Sequence, residues 1–220
     1  KSVPVSFDLF GTLVTVSTAT APAAAVASEL RDRGVAVPDD WAAAYRTSHL
    51  DVPEAAEIPL PAHVAAALRS RGVEASDGVV RRAVIAAFDP EVRRREGVAA
   101  ALDAARERGP VGLCSNCSVP ELVPRTLVRA DLRGAFDAVV TSAACGFRKP
   151  HPRPFETLAA DLGCEASETP RGGGGAADAS ALIHVGDDPD TDGGIDALGG
   201  RFVDVTETPL SELRTVLGGE

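Results

Sequence analysis

The chain has 220 residues, of which 45% are hydrophobic and 25% are charged, and its formal net charge is −10. This length and composition fit one globular domain with room for a smaller insert, and they exclude a wholly disordered chain. Apolar runs such as 21–27 are too short to cross a bilayer, which takes ~18 residues, and the acidic balance argues against binding to nucleic-acid phosphates. We therefore expect a soluble, cytoplasmic protein that binds neither a membrane nor nucleic acid.

Basic residues are almost all arginine: only Lys1 and Lys149 are lysines among the 22 Lys and Arg, and methionine is absent. Together with the acidic excess, this usage indicates a GC-rich genome and resembles the salt-adapted proteins of haloarchaea. An acidic protein from a GC-rich bacterium is the alternative. The cysteines do not complete a zinc site, although two of them have the spacing of half a site, so free thiols in a reducing compartment are expected. They are Cys114, Cys117, Cys145 and Cys164.

The first apolar run, residues 3–10, predicts a buried strand that ends in a turn at Gly11 and Thr12. After it, apolar side chains recur with a helical period, and no strand is evident between 21 and 88. Four helices are predicted there, at 21–33, 39–50, 61–71 and 76–88. After Pro90, helices and strands alternate. Helices are predicted at 97–108, 120–129, 153–162, 192–198 and 210–217, and strands at 111–114, 136–141, 182–185 and 202–205.

Strands that alternate with helices in this way form a parallel sheet joined by right-handed crossovers. We therefore predict an α/β fold with two domains: a core of residues 1–15 and 91–220 that carries the parallel sheet, and an inserted helical cap over 16–90. Residues 165–180 include four consecutive glycines and predict a surface loop. His184 falls inside a predicted buried strand, so we interpret it as structural.

Polar residues stand at the carboxyl ends of four predicted strands, where ligands bind in open parallel sheets. Asp8 ends the first strand, Ser115 the second, Lys149 follows the third, and an acidic run from Asp187 to Asp192 follows the fourth. Each alone has an ordinary explanation as a cap, a turn or a solvated charge, but the four together predict a ligand site. Lys149 adds weight because a compact ammonium stands where this chain elsewhere uses arginine.

These residues resemble the four motifs of the haloacid dehalogenase (HAD) superfamily of hydrolases, present in order over nearly the whole chain. The helical segment after the first motif looks like that family's first-position cap. The resemblance implies a Rossmann-like core with a helical cap. It also implies that Asp8 is the nucleophile, that Ser115 binds the transferred group and that Lys149 neutralises charge. Asp187 and Asp192 match the acidic fourth motif.

By the same resemblance, hydrolysis proceeds through a covalent intermediate on Asp8, an aspartyl phosphate if the substrate is a phosphate ester. Mg²⁺ held by Asp8, the backbone carbonyl of Phe10 and Asp187 would offset the repulsion between phosphate and carboxylate. Asp192 would orient Lys149 or a metal-bound water. We expect a small phosphate monoester as the partner of a monomer or homodimer. The expected substrate contacts are Thr12, Ser115, Asn116 and Lys149.

Phe10 departs from the family's phosphatase pattern, in which an Asp two residues after the nucleophile protonates the leaving alcohol. Phenylalanine cannot donate a proton, and general acid catalysis contributes ~10²–10⁴-fold. Three functions stay open: a phosphatase for good leaving groups or with an acid from the cap or substrate, a dehalogenase whose halide needs no proton, and a ligand-binding protein with little turnover. The acidic cluster suits a metal and favours the phosphatase. Within that cluster, Asp188 fits a metal ligand and a solvated turn equally well.

Overall fold

The structure is a computed structural model that describes residues 2–17, 20–164 and 178–218. Its strands are β1 (Val5–Phe7), β2 (Val14–Val16), β3 (Val92–Arg94), β4 (Val111–Ser115), β5 (Ala138–Thr141), β6 (Ile183–Gly186) and β7 (Arg201–Asp204). Five of them form a parallel sheet in the order β5-β4-β1-β6-β7, and β2 pairs with β3 in antiparallel orientation. This sheet, with helices flanking it, confirms the predicted α/β fold.

The α-helices surround the sheet and fill the chain between β2 and β3. They are α1 (Pro22–Asp32), α2 (Trp41–Arg46), α3 (Leu60–Arg69), α4 (Asp77–Ala87), α5 (Val98–Arg108), α6 (Leu122–Arg129), α7 (Ser142–Cys145), α8 (Pro152–Asp161) and α9 (Leu213–Gly218). None of the helices in the described ranges is long and apolar enough to span a membrane.

Strand β1 lies at the centre of the sheet, and all of its residues are buried. Phe7 stands level with Leu113 of β4 and Val185 of β6. Phe155 and Leu158 of α8 pack in the apolar cluster on one face of the sheet, while α5 and α9 belong to the larger cluster. Because β1, β4 and β6 are parallel neighbours, the residues that follow them meet at one edge of the sheet.

Helices α1 to α4, called the helical segment below, pack on one another around buried residues such as Val26, Leu30 and Val84. The Trp41 indole N–H donates to the carbonyl oxygen of Ala23 at 2.7 Å, which satisfies its one polar group. The antiparallel pairing of β2 with β3 brings the two ends of this segment together. The segment occupies the place of the predicted cap, and the exact domain boundaries stay a prediction.

Several elements differ from the sequence prediction. The β2–β3 pair is not predicted, because each strand has three residues and β3 contains two arginines. Residues 192–198 form a 3₁₀ helix rather than an α-helix, and Gly193 and Gly194 disfavour the α-helical conformation there. The predicted strand 3–10 shortens to β1, and the predicted helix 39–50 ends at Arg46. Most of the predicted loop 165–180 lies outside the described residues.

Candidate active site

Loops at the carboxyl edge of the sheet bring the predicted residues together. Asp8 follows β1, Ser115 ends β4, Lys149 lies between α7 and α8, and Asp187 follows β6. Lys149 Nζ is 2.8 Å from Asp8 Oδ1. One carboxylate oxygen from each of Asp8, Asp187 and Asp192 lies within 4.8 Å of the other two. We call Lys149 and these three carboxylates the acidic cluster.

Lys149 is the centre of the acidic cluster and is only 2% exposed. Its ammonium donates to Asp8 Oδ1 at 2.8 Å, to Asp192 Oδ1 at 2.5 Å and to the carbonyl oxygen of Cys114 at 2.7 Å. These contacts use all three of its donors. Burial acts to lower the pKa of Lys149, but neighbouring groups, chiefly Asp8 and also Asp192, together outweigh burial, so the pKa lies above its usual range. The ammonium therefore stays charged and compensates two buried carboxylates.

The two carboxylates that contact Lys149 have opposite pKa shifts. Burial raises the pKa of Asp8 to about 6, although the charge of Lys149 opposes the shift. Burial also acts to raise the pKa of Asp192, but hydrogen bonds from His184 and Lys149 hold it below its usual range. Near neutral pH both groups are ionised. Asp8 is then available as a nucleophile, and Asp192 is a fixed negative charge.

His184 lies against Asp192, a contact that the sequence does not reveal. Its Nε2 is 3.1 Å from Asp192 Oδ1, and its Nδ1 is 2.8 Å from Ser6 Oγ. Burial, assisted by the charge of Lys149, lowers the pKa of His184 to about 4, so the ring is neutral at pH 7. A neutral ring can donate from Nε2 to Asp192 while Nδ1 accepts from Ser6. The structural interpretation of His184 thus holds, with the added result that it supports the acidic cluster.

Asn116 holds the backbone of Lys149. Its side-chain oxygen accepts the Lys149 N–H at 2.8 Å, and its amide nitrogen donates to the Lys149 carbonyl oxygen at 3.0 Å. Both ends of the amide are therefore engaged with the protein. Asn116 therefore fixes the backbone of the loop that carries Lys149. The predicted contact of Asn116 with substrate stays a prediction.

Thr12 donates a hydrogen bond to the Asp187 carboxylate, and Gly11 leaves room for that carboxylate. The buried Thr12 hydroxyl donates to Asp187 Oδ1 at 2.7 Å. Gly11 has a φ of +88°, and a Cβ at this position would overlap the Asp187 carboxylate. Both the left-handed backbone and the close approach require glycine. The hydroxyl proton of Thr12 is therefore already donated to Asp187. The predicted contact of Thr12 with substrate stays a prediction.

Ser115 differs from its neighbours because its hydroxyl has no partner among the residues that the structure describes. The residue is 2% exposed, and within the described part of the chain its Oγ makes no hydrogen bond. A buried polar group without a partner costs about 1–3 kcal/mol and calls for an explanation such as a bound molecule. The predicted contact of Ser115 with a ligand stays a prediction, and the unpartnered hydroxyl in the described chain is the observation that supports it.

A comparison with protein families agrees with the resemblance that the motifs indicate. The model of the haloacid dehalogenase-like hydrolases matches residues 5–193 of the chain. This chain belongs to the HAD family. No curated protein has a sequence that matches it.

Solved HAD structures share the fold. The 2-haloacid dehalogenase of Pseudomonas syringae pv. Tomato DC3000 is 20% identical, with a TM-score of 0.63 and 99% of each chain covered. A predicted phosphoglycolate phosphatase of Haemophilus somnus 129PT is 16% identical, with a TM-score of 0.56, and the match covers 98% of this chain and 97% of that one. A Bacillus subtilis HAD-hydrolase bound to magnesium is 16% identical, with a TM-score of 0.53 and 99% of each chain covered. These likenesses show the fold and leave the substrate class open.

The acidic cluster of this HAD hydrolase fits a Mg²⁺ ion. Its three carboxylates offer hard oxygen donors within 4.8 Å of one another, which are the ligands that Mg²⁺ prefers. Both oxygens of Asp192 already accept hydrogen bonds from the protein. Asp8 and Asp187 are therefore the better ligands. The backbone carbonyl of Phe10, on the turn after Asp8, stays the predicted third ligand.

Asp188, for which the sequence leaves two roles open, has the geometry of a turn residue. Its side chain is exposed, and its Oδ1 accepts the backbone N–H of Asp190 at 3.0 Å. Its own N–H donates to Asp192 Oδ2 at 3.2 Å. The contacts of Asp188 thus favour the turn over the metal ligand.

The helical segment contacts the core close to Lys149. The Glu57 side chain is 7% exposed, and its Oε2 accepts from Ser142 Oγ at 2.7 Å. Ser142 Oγ in turn accepts the Cys117 N–H at 2.8 Å, and the Glu57 N–H donates to the Gly146 carbonyl oxygen at 2.9 Å. No sequence signal marks this contact, because it joins ordinary residues that lie far apart in the chain.

All four cysteines are free thiols, as predicted. Burial raises the pKa of Cys114 to about 12 and that of Cys117 to about 11. Both thiols are therefore protonated near neutral pH, and protonated thiols are poor nucleophiles. Neither thiol is therefore a candidate nucleophile.

Proposed function

We propose that this HAD hydrolase is a Mg²⁺-dependent phosphatase that acts on small phosphate monoesters through an aspartyl-phosphate intermediate on Asp8. The acidic cluster carries the proposal. It gathers three carboxylates within 4.8 Å of one another, more negative charge than Lys149 alone offsets. A divalent cation would balance this excess and the charge of an incoming phosphate. Displacement of a halide from carbon has no comparable need for a metal.

Residues of the chain supply the nucleophile and the positioning groups. A carboxylate oxygen of Asp8 attacks phosphorus and forms a new O–P bond, while the bond to the alcohol oxygen breaks and that oxygen leaves with the electron pair. Lys149 offsets the added charge, and the Ser115 hydroxyl donates to a phosphate oxygen. Such positioning is most of what phosphoryl transfer requires. When bound, Mg²⁺ neutralises charge on the phosphate.

In the second step a water oxygen attacks phosphorus, and the bond between phosphorus and the Asp8 oxygen breaks. The water loses its proton to solvent, and inorganic phosphate leaves with the Asp8 carboxylate restored. The ionised state of Asp8 near neutral pH suits both steps, because the carboxylate is the nucleophile in the first and the leaving group in the second.

Phe10 determines which leaving groups suit the first step. Its side chain has no proton to give, so the departing oxygen must take a proton from water or from the substrate, or must be stable as an anion. A phenolate is far more stable than an alkoxide. We therefore expect aryl phosphates to react faster than alkyl phosphates with this enzyme.

Phe10 is also the observation that favours a second candidate, a carbon–halogen hydrolase. There, the Asp8 carboxylate would displace halide from carbon and form an ester, which water would then hydrolyse. A departing halide needs no proton, so a phenylalanine at this position would carry no penalty.

Two parallel assays separate these functions. Phosphate release from p-nitrophenyl phosphate is measured with Mg²⁺ and with a chelator, and halide release is measured from 2-chloropropionate. The assays are run in dilute buffer and in molar potassium acetate, which adds no chloride to the halide readout, because the acidic composition predicts salt adaptation. We expect phosphate release that the chelator abolishes and excess Mg²⁺ restores. Metal-independent halide release without phosphate release would establish the dehalogenase. Silence in both would favour ligand binding with little turnover.

A further inference from the structure

A cavity of about 610 Å³ lies beside the turn that follows Asp8. Phe10, two residues after the nucleophile, and Asn116, which follows Ser115, are both part of its wall. The rest of the wall comes from the end of α4 and the chain between α4 and β3, from the end of β2 and the residue after it, and from the chain after β4. The cavity therefore lies between the helical segment and the core. Its volume is typical of small-molecule sites in proteins.

Most of the cavity wall is apolar. Val16 is the last residue of β2, and Phe88 is the first residue after α4. Val119 and Leu122 come from the chain after β4. An aryl or short alkyl group in this space would lose contact with water on most of its surface, which is favourable for apolar groups. Phe10 adds an aromatic wall beside the nucleophile.

The charges of the wall are unfavourable for an anion. The wall residues that the structure describes include Asp89 and Glu91 and contain neither lysine nor arginine. Arg129 and Arg125 are outside the wall and lie 2.6 and 3.8 Å from Asp89, with which they are paired. Arg95 is also outside the wall, and its guanidinium donates to the carbonyl oxygens of Gly11 and Thr12. A carboxylate or second phosphate in the cavity would lose its hydration without a lysine or arginine of the wall to pair with.

From this wall we infer that the cavity binds the organic group of the substrate and selects an uncharged, apolar one. The inference rests on the proposed phosphatase function and specifies its substrate class: phosphate monoesters of uncharged apolar alcohols or phenols. Monoesters whose organic group carries a second anion are disfavoured. In this site Phe10 is a specificity-determining wall residue.

A matched pair of substrates tests this selection. The kcat/KM values of p-tolyl phosphate and 4-carboxyphenyl phosphate are compared with Mg²⁺ present, because a methyl and an ionised carboxylate at the same ring position differ chiefly in charge. We expect the tolyl ester to be preferred by at least ~10-fold, the lower range of discrimination by a binding pocket. Equal values, or preference for the carboxylated ester, would overturn the inference.

A pair of variants tests whether charge is the cause. Ala87 lies in the wall at the last turn of α4, where a helix end favours a cation. Ala87→Arg should shift the ratio of the two kcat/KM values toward 4-carboxyphenyl phosphate by ~10-fold or more. Ala87→Gln, which adds a polar side chain without charge, should leave the ratio near the wild-type value. An equal shift in both variants would show that shape selects, and would overturn selection by charge.

A binding measurement separates failure of this inference from failure of the phosphatase proposal. Calorimetry with p-tolylphosphonate and 4-carboxyphenylphosphonate, whose C–P bonds resist hydrolysis, reads the cavity without turnover. Preferred binding of the tolyl compound without turnover of either ester would overturn the phosphatase and support the apolar cavity. Turnover of both esters without preference would overturn the cavity inference and support the phosphatase. Absence of both turnover and preference would overturn both.

Discussion

The acidic cluster and the cavity beside it are neighbours that differ in construction. Around Lys149 the polar atoms are engaged with one another: the ammonium has three acceptors, and Asp192 is held by Lys149 and His184. The cavity wall is mostly apolar, and Phe10 stands there without any group that can donate a proton. One region holds charged groups in place, whereas the other offers space and apolar contact.

This difference separates the parts of the molecule that perform chemistry from those that choose the ligand. In the acidic cluster, each side chain satisfies a buried partner, so removal of one leaves another unsatisfied at a cost of several kcal/mol. In the cavity, a changed side chain alters mainly volume and apolar contact, which changes the preferred ligand more than the fold. Four predictions test this contrast.

Asp8→Asn should have the largest effect, because an amide is a poor nucleophile and adds no charge for a metal. We expect turnover of p-nitrophenyl phosphate to fall by at least about a thousandfold, as for the loss of nucleophiles in other enzymes. Asp190→Asn makes the same charge change at an exposed position of the acidic motif and should keep the wild-type rate. A variant with more than a few per cent of wild-type activity and a native circular dichroism spectrum would exclude Asp8 as nucleophile.

Lys149→Met should destabilise the protein and also abolish activity. The substitution leaves Asp8 and Asp192 buried without their shared cation, and breaking a buried pair costs about 3–5 kcal/mol. The free energy of unfolding in urea measures this loss. Arg153→Met removes an exposed cation from the same part of the chain and should change stability little. A loss below about 1 kcal/mol in Lys149→Met would contradict the account of the cluster, because that is the range of exposed ion pairs.

His184→Gln should change how stability depends on pH. The folded pKa of His184, about 4, lies below the unfolded value of 6.5, so between these values the unfolded chain binds the proton and the folded chain does not. Wild type therefore gains stability from this group as pH rises from 4 to 6.5, by up to about 3 kcal/mol. The raised pKa of Asp8 makes stability fall as pH rises over part of this range. The quantity to measure is therefore the free energy of unfolding of wild type minus that of the variant, in which the contribution of Asp8 cancels.

That difference should increase with pH between 4 and 6.5 if His184 is held neutral by burial. Glutamine keeps a donor for Asp192 and does not titrate. The comparison therefore separates the effect of His184 titration from the effect of its hydrogen bond to Asp192. A difference that stays constant over this range would show that His184 does not contribute a shifted titration.

Phe10→Asp places a carboxyl group, which can donate a proton, in the cavity wall two residues after Asp8. It should accelerate alkyl phosphates, which leave as poor anions, by ~10²-fold, and aryl phosphates much less, because general acid catalysis matters most for poor leaving groups. Phe10→Leu, which keeps an apolar wall without an acid, should accelerate neither. Equal acceleration of both ester classes by Phe10→Asp would show that the missing proton donor does not limit the rate.

The sequence predicts much of this molecule. The alternation of strands and helices predicts the parallel sheet, and the polar residues at strand ends predict a cluster of Asp8, Lys149 and Asp192, because parallel strand ends meet at one edge. It does not predict the contact of Ser6 with His184 or that of Glu57 with Ser142. Partners 178 and 85 residues apart in the chain make these contacts, and their residue types are common at turns and caps. Salt adaptation and the domain boundaries remain predictions.

The sequence by itself determined the family, the order of the four motifs and the presence of phenylalanine, and not an acid, at position 10. Each of these depends on residue identity and local spacing. Only the tertiary structure decided which polar groups are already engaged. Thr12 holds Asp187 and Asn116 holds Lys149, whereas Ser115 alone of these three candidate contacts keeps a buried hydroxyl without a partner in the described chain. The reason is physical: burial and hydrogen bonding are properties of the whole packed chain, and identical side chains become a support or a ligand contact according to what surrounds them.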